Sequence, residues 1–180
     1  RNLRANEGAG AVSRKWIDWD ADAVFIDDTG GYGAGWIDAL LQLGKAPIGV
    51  PFSGVANDPR YYNKRAEMYF ELVEWIQRGG QLPPRDAPGS SELMAALTTT
   101  TFTYKGDRFL LEPKELVKER LGYSPDFADA LGLTFAQPVS PRHRAERRGR
   151  HRIEYDPFTG PSWEPPVAAS RHQSNYDPFG

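Results

Sequence analysis

The chain has 180 residues, 39% of them apolar, and 22 Lys and Arg against 24 Asp and Glu give a net charge of −2. It has no cysteine, which excludes a disulfide framework, thiolate zinc and a cysteine nucleophile and fits a reducing compartment. The near-neutral balance restricts any nucleic-acid contact to a local patch. No apolar run approaches transmembrane length and no signal peptide is recognisable, so no membrane contact is expected.

Residues 9–20, AGAVSRKWIDWD, place Val12, Trp16 and Trp19 at helical spacing and predict a helix. ADAVFID, 21–27, predicts a short buried strand, and Gly30, Gly31, Gly33 and Gly35 a tight turn. AGWIDALLQLG, 34–44, predicts a helix closed by Gly44. APIGVPFS, 46–53, predicts a second strand. NDPRYYN then breaks the chain before a long helix over about 60–78, with a stripe of Tyr62, Ala66, Tyr69, Val73 and Ile76. GGQLPPRDAPGS is a loop and 91–97 a short helix. TTTTFTYKGDRFLL, 98–111, predicts a hairpin turning at Lys105-Gly106-Asp107. Residues 113–121 are helical and end at Gly122; Ser124 and Pro125 then cap and open a last helix, 125–136. The order β-α-β-α-β-β-α reads as an α/β protein with a mixed sheet flanked by helices.

Composition changes after Pro138. SPRHRAERRGRHR, 140–152, is arginine-rich with almost no apolar residue, and the Pro-rich stretch beyond it repeats YDPF at 155–158 and 176–179. Such a segment cannot bury enough surface to fold alone. The expected organisation is a folded domain over 1–139 and a basic, irregular, flexible tail over 140–180. His143, His151 and His172 all fall in that tail, so no Ser-His-Asp arrangement can be built in the folded part.

Chemistry concentrates in carboxylates. Asp27 sits where a strand meets the glycine turn, and sites in open α/β sheets form outside the carboxyl ends of strands. Asp126 and Asp129 lie three apart on the last helix and project from nearly one face. Carboxylates converging from distant segments make a hard-oxygen site for Mg²⁺ or Mn²⁺, and two such ions about 4 Å apart support phosphodiester cleavage. The competing reading is bland: an Asp after a strand is a turn former, and Asp126 at a helix start suits the dipole. The glycine turn lacks the Walker Gly-Lys-Ser/Thr ending and the dinucleotide spacing. Lys114 and Arg120 either face a DNA backbone or form a solvated helix face. Asn63, Lys64, Arg65 and Glu67 make an ordinary polar first turn.

Three strings taken together, IDDTGGYGAGWIDAL, PFSGVANDPRYYNKRAEMYFELVEWI and LEPKELVKERLGYSPDFADALGLTFAQPV, resemble the C-terminal nuclease domain of tailed-phage terminase large subunits, over residues 9–139. The resemblance implies a ribonuclease H-like fold. It also implies a metal-dependent endonuclease, with two Mg²⁺ or Mn²⁺ ions, that cuts concatemeric viral DNA during genome packaging in the host bacterial cytoplasm. Its implied partners are double-stranded viral DNA, the portal protein, the small terminase subunit and a terminase ATPase domain. The family's second acid falls on Asp27 and its last on Asp126 or Asp129, with Asp126 preferred; Lys114 matches a lysine near the scissile phosphate. Arg65, Arg120, Arg142, Arg144, Arg147 and Arg148 are the further candidate DNA contacts. The family's first acid, on an earlier strand, has no counterpart before Asp27, and no ATPase motif is present. The chain thus reads as the later part of a nuclease domain. The alternative is a catalytically incomplete prophage remnant that binds DNA or the portal. A junction resolvase is a third reading, disfavoured by NKRAEM and RLGYSPDFADAL.

Overall fold

The computed structural model describes residues 5–141. The expected tail, with Arg142, Arg144, Arg147, Arg148, the histidines and both YDPF strings, lies outside the described residues.

Helix α1, Ala5–Asp18, starts four residues earlier than its apolar pattern predicts. It buries Ala9 and Trp16 and packs on helix α2, Ala34–Gln42, around Ala39 and Leu40. Trp16 Nε1 donates to the Ala21 carbonyl at 2.8 Å, which ties down the chain as it leaves the helix. Trp19, expected on the same face, is exposed.

Strands β1, Phe25–Asp27, and β2, Ile48–Val50, pair in parallel with Asp27 opposite Val50. Helix α2 supplies the crossover that parallel pairing needs. Both strands are shorter than the sequence suggests. Pro47 and Pro51 bracket β2, and a proline has no N–H to give a ladder.

Helix α3, Lys64–Gln77, is the central element. Asn63 caps it, accepting from the Ala66 N–H at 3.0 Å. Its buried face is Ala66, Met68, Tyr69 and Leu72, while Val73, expected in the stripe, is exposed. The face is wide because α3 serves two cores. Ala66 and Tyr69 pack with Leu93, Ala96, Leu111 and Ala128, and Met68 packs with Val50, Phe52 and Ala136.

Helix α4, Ser90–Thr99, leads into strands β3, Phe102–Lys105, and β4, Arg108–Leu111, an antiparallel hairpin with the expected turn. Residues 60–62 add a short parallel bridge to β4, with Phe109 N–H donating to the Arg60 carbonyl and Tyr62 N–H to the Phe109 carbonyl, both at 2.8 Å. Parallel and antiparallel pairings are therefore both present, in two separate ladders among the described residues.

Helix α5, Lys114–Leu121, ends at Gly122 as expected, and α6 spans Asp126–Leu133. Ser124 does not cap α6. Its hydroxyl donates to Asp126 Oδ1 at 2.5 Å instead of accepting a backbone N–H. Helix α6 packs against α3, α4 and β1, which brings the last helix to the parallel strands.

Candidate functional site

At the tip of β1, Asp27 is exposed and works as a turn former. Its Oδ1 accepts from Thr29 N–H at 2.9 Å and Thr29 Oγ1–H at 2.5 Å, while Thr29 Oγ1 accepts from Phe52 N–H at 2.9 Å. The threonine thus links the tip of β1 to the segment that follows β2. Gly33 lets the turn close. A Cβ there would lie 2.5 Å from the Asp27 carbonyl oxygen and 3.0 Å from Asp28 Cα, so only glycine fits the approach. Asp28 is the residue that sequence reasoning passed over. Its Oδ1 is buried with no hydrogen-bond partner among the described residues. Such an atom is costly to leave unpaired.

On α6, Asp129 is buried and surrounded by donors. Tyr69 OH donates to Oδ1 at 2.7 Å, Arg65 Nε stands 3.5 Å from the same oxygen, and Lys114 Nζ lies 2.7 Å from Oδ2. The lysine contact is an ion pair rather than an aligned hydrogen bond, and Oδ2 is left without one. Lys114 also reaches the exposed Asp126, 3.2 Å from Oδ1. Partial burial pushes the Lys114 ammonium down, but its pairing with Asp129 and Asp126 outweighs this and the pKa is raised. The Ser124 hydroxyl, followed by Lys114, holds Asp126 below the usual carboxylate range. Burial, then the charge of Asp129, pushes the Tyr69 phenol up.

Lys114 therefore meets both Asp126 and Asp129, a pairing the sequence reading did not anticipate. Arg65 departs from its expectation, whereas Arg120 stays exposed but paired. Arg65 presents no charge to a DNA surface: it is buried, with Nη1 donating to the Glu112 carbonyl at 2.9 Å and Nε turned to Asp129. Arg120 donates to Glu112 Oε1 and to the Thr99 carbonyl. That pairing, with a backbone N–H from Thr101, holds the Glu112 carboxyl at about 2. The signal for Arg65 was present in the sequence, because its position falls on the buried face of α3 beside Ala66 and Tyr69. A charge on such a face needs a buried partner.

The implied metal pair needs a cage of carboxylate oxygens. Two buried carboxylate oxygens without hydrogen bonds, Asp28 Oδ1 and Asp129 Oδ2, are the kind of atom a divalent cation satisfies. Yet no three Asp, Glu or His side chains gather around one point among the described residues. Lys114 and Arg65 already answer the charge of Asp129. The described acids do not by themselves fit a metal pair.

No family model matches the chain, and no curated protein matches it. Solved structures do. The nuclease domain of the large terminase subunit gp2 of bacterial virus Sf6 is 24% identical, with a TM-score of 0.59 over 74% of this chain and 73% of that one. A point variant of that domain with manganese is similar at a TM-score of 0.60, 24% identity and 74% coverage of each chain. The variant with calcium gives a TM-score of 0.60 at 24% identity, over 74% of this chain and 73% of that one. The likeness shows the fold alone: this chain shares the α/β arrangement of that domain.

Proposed function

We propose that this chain is the nuclease part of a phage DNA-packaging terminase large subunit, an endodeoxyribonuclease that hydrolyses phosphodiester bonds of concatemeric viral DNA. The carrying observation is the fold likeness over three quarters of the chain, with Asp126 and Asp129 on α6, the helix that packs against β1, and Lys114 on α5 paired with both. The proposal includes dependence on Mg²⁺ or Mn²⁺. Asp27, Asp28, Asp126 and Asp129 are the acids offered for that role. It also includes a packaging complex with the portal, the small subunit and an ATPase domain.

The residues support specific tasks. Lys114 is a cation shared between an exposed and a buried carboxylate. It can exchange Asp126 for a phosphate oxygen while Asp129 keeps it in place. Tyr69 and Arg65 fix the rotamer of Asp129 from α3 and act as positioning residues.

The test is plasmid cleavage by the full chain in Mn²⁺, beside Asp27→Asn, Asp28→Asn, Asp126→Asn and Asp129→Asn. Cutting by the parent that is lost in the Asp28 and Asp129 variants supports the reading. No cutting by a folded parent overturns it and leaves the alternative, a module that binds DNA or packaging partners.

A further inference from the structure

The β3–β4 hairpin carries a cluster that the acid site does not use. Lys105 and Arg108 are direct cross-strand partners flanking the Gly106-Asp107 turn. Like charges directly opposite each other in a ladder destabilise it. Neither side chain makes an ion pair among the described residues, although Asp107 lies between them. Both converge on Tyr62. Lys105 Nζ donates to Tyr62 OH at 2.8 Å and lies 4.3 Å from the ring centroid, and Arg108 Cζ lies 4.9 Å from the same centroid. The hydrogen bond from Lys105 holds the Tyr62 phenol below its ordinary pKa. Nearby Arg60 differs, since it is already paired with Asp58.

Two cations are thus held together on one aromatic ring, and among the described residues no carboxylate pairs with either. The cation–π contacts hold the charges in place without neutralising them. Tyr62 is also followed directly by Asn63, the cap of α3, so the cluster is tied to the helix that holds Asp129 through Tyr69 and Arg65.

We infer that Lys105, Arg108 and Tyr62 form a contact site for the sugar-phosphate backbone of duplex DNA, separate from the acids. This rests on the proposed nuclease reading. A phosphate oxygen accepts from the ammonium and the guanidinium together and relieves their mutual repulsion. Such contacts set the position of the duplex and carry no sequence information. The duplex would be registered relative to Asp129 through the start of α3.

The experiment measures binding of a fluorescent duplex to the full chain in EDTA, over a range of salt, for the parent and the Lys105→Ala/Arg108→Ala double variant. Arg78→Ala, at the exposed pair with Glu74, is the control. Expected is a uniform loss of affinity across duplex sequences and a salt slope smaller by about 1 for each removed cation. The melting temperature should hold or rise, because the like-charge pair is gone. Lys105→Arg/Arg108→Lys should keep the slope. Inorganic phosphate and poly-glutamate are run as competitors. An unchanged slope overturns the site, as does displacement at this cluster by free phosphate or acidic peptide as readily as by DNA. A folded parent that does not bind DNA overturns it as well. Failure of the nuclease reading looks different: no variant of the acids changes cutting, whatever the hairpin does to binding.

Discussion

Asp129 and Asp28 stand on elements that pack together, α6 and the end of β1, yet the protein answers their charges differently. Asp129 is surrounded by Lys114, Arg65 and Tyr69. Among the described residues, Asp28 has a buried oxygen with no hydrogen-bond partner, and the side chain of its neighbour Asp27 is held by Thr29. The helix acid is part of the stabilising network, so changing it should disturb both fold and chemistry. The strand-tip acids are tied in loosely, so changing them should separate the two.

The largest effect belongs to Asp129→Asn. It leaves buried Arg65 and half-buried Lys114 without their shared counter-charge. Losing one partner of a buried pair costs about 3–5 kcal/mol, measured as a shift in the urea midpoint. A loss below about 1 kcal/mol would mean that solvent screens this network as it screens a surface pair, and the contrast between the two acids would collapse.

Gly33→Ala tests the other side through the backbone. A Cβ 2.5 Å from the Asp27 carbonyl oxygen forces the turn to shift, at about 1–3 kcal/mol for overpacking. Thermal melting should show this cost while the Tyr69–Asp129 contact stays intact. Loss of the Asp129 network in the same variant would mean that the two sites are one cooperative unit.

Much of this was legible from local pattern. The hairpin turn and the Asn63-led start of α3 follow from spacing over a few residues. What was not legible depends on distance along the chain. Arg65 and Tyr69 meet Asp129 across 64 and 60 residues, and no helical or strand period encodes such a contact. The orphaned oxygen of Asp28 depends on which side of the β1–β2 ladder the chain turns after Asp27. The short strands were signalled by Pro47 and Pro51, but the apolar run was the louder signal. Trp19 and Val73 kept helical spacing and still face solvent, because packing against neighbours decides which part of a wide apolar stripe is covered.

A smaller effect sharpens the helix side by pH. Glu112 supplies the carbonyl that holds Arg65 and is itself held by Arg120. Its carboxyl falls from an ordinary 4.5 to about 2. A depressed folded-state pKa contributes stability that is complete above 4.5 and is lost as pH falls toward 2. Glu112→Gln should therefore be less stable than the parent at neutral pH. The two stability curves should converge as the pH is lowered through that window. Parallel curves would mean that Glu112 titrates as an ordinary surface carboxylate.

The smallest stability effect, and the most informative comparison, is between Asp27→Asn and Asp28→Asn. An amide at Asp27 can still accept from Thr29, so the fold should lose at most about 1 kcal/mol, the worth of one hydrogen bond. An amide at Asp28 removes a partly buried charge that no donor answers, so stability should hold or rise slightly. Under the proposed Mn²⁺ dependence the order reverses. A ligand that binds only the folded state raises its stability in proportion to the logarithm of ligand over dissociation constant. The Mn²⁺-induced rise in melting temperature should therefore be lost in Asp28→Asn and largely retained in Asp27→Asn. The opposite order would return the strand-tip role to Asp27 and make the buried oxygen of Asp28 a structural cost. A parent with no Mn²⁺ response would show that the strand tip and α6 do not bind the ion together, consistent with the absence of a three-acid cluster among the described residues.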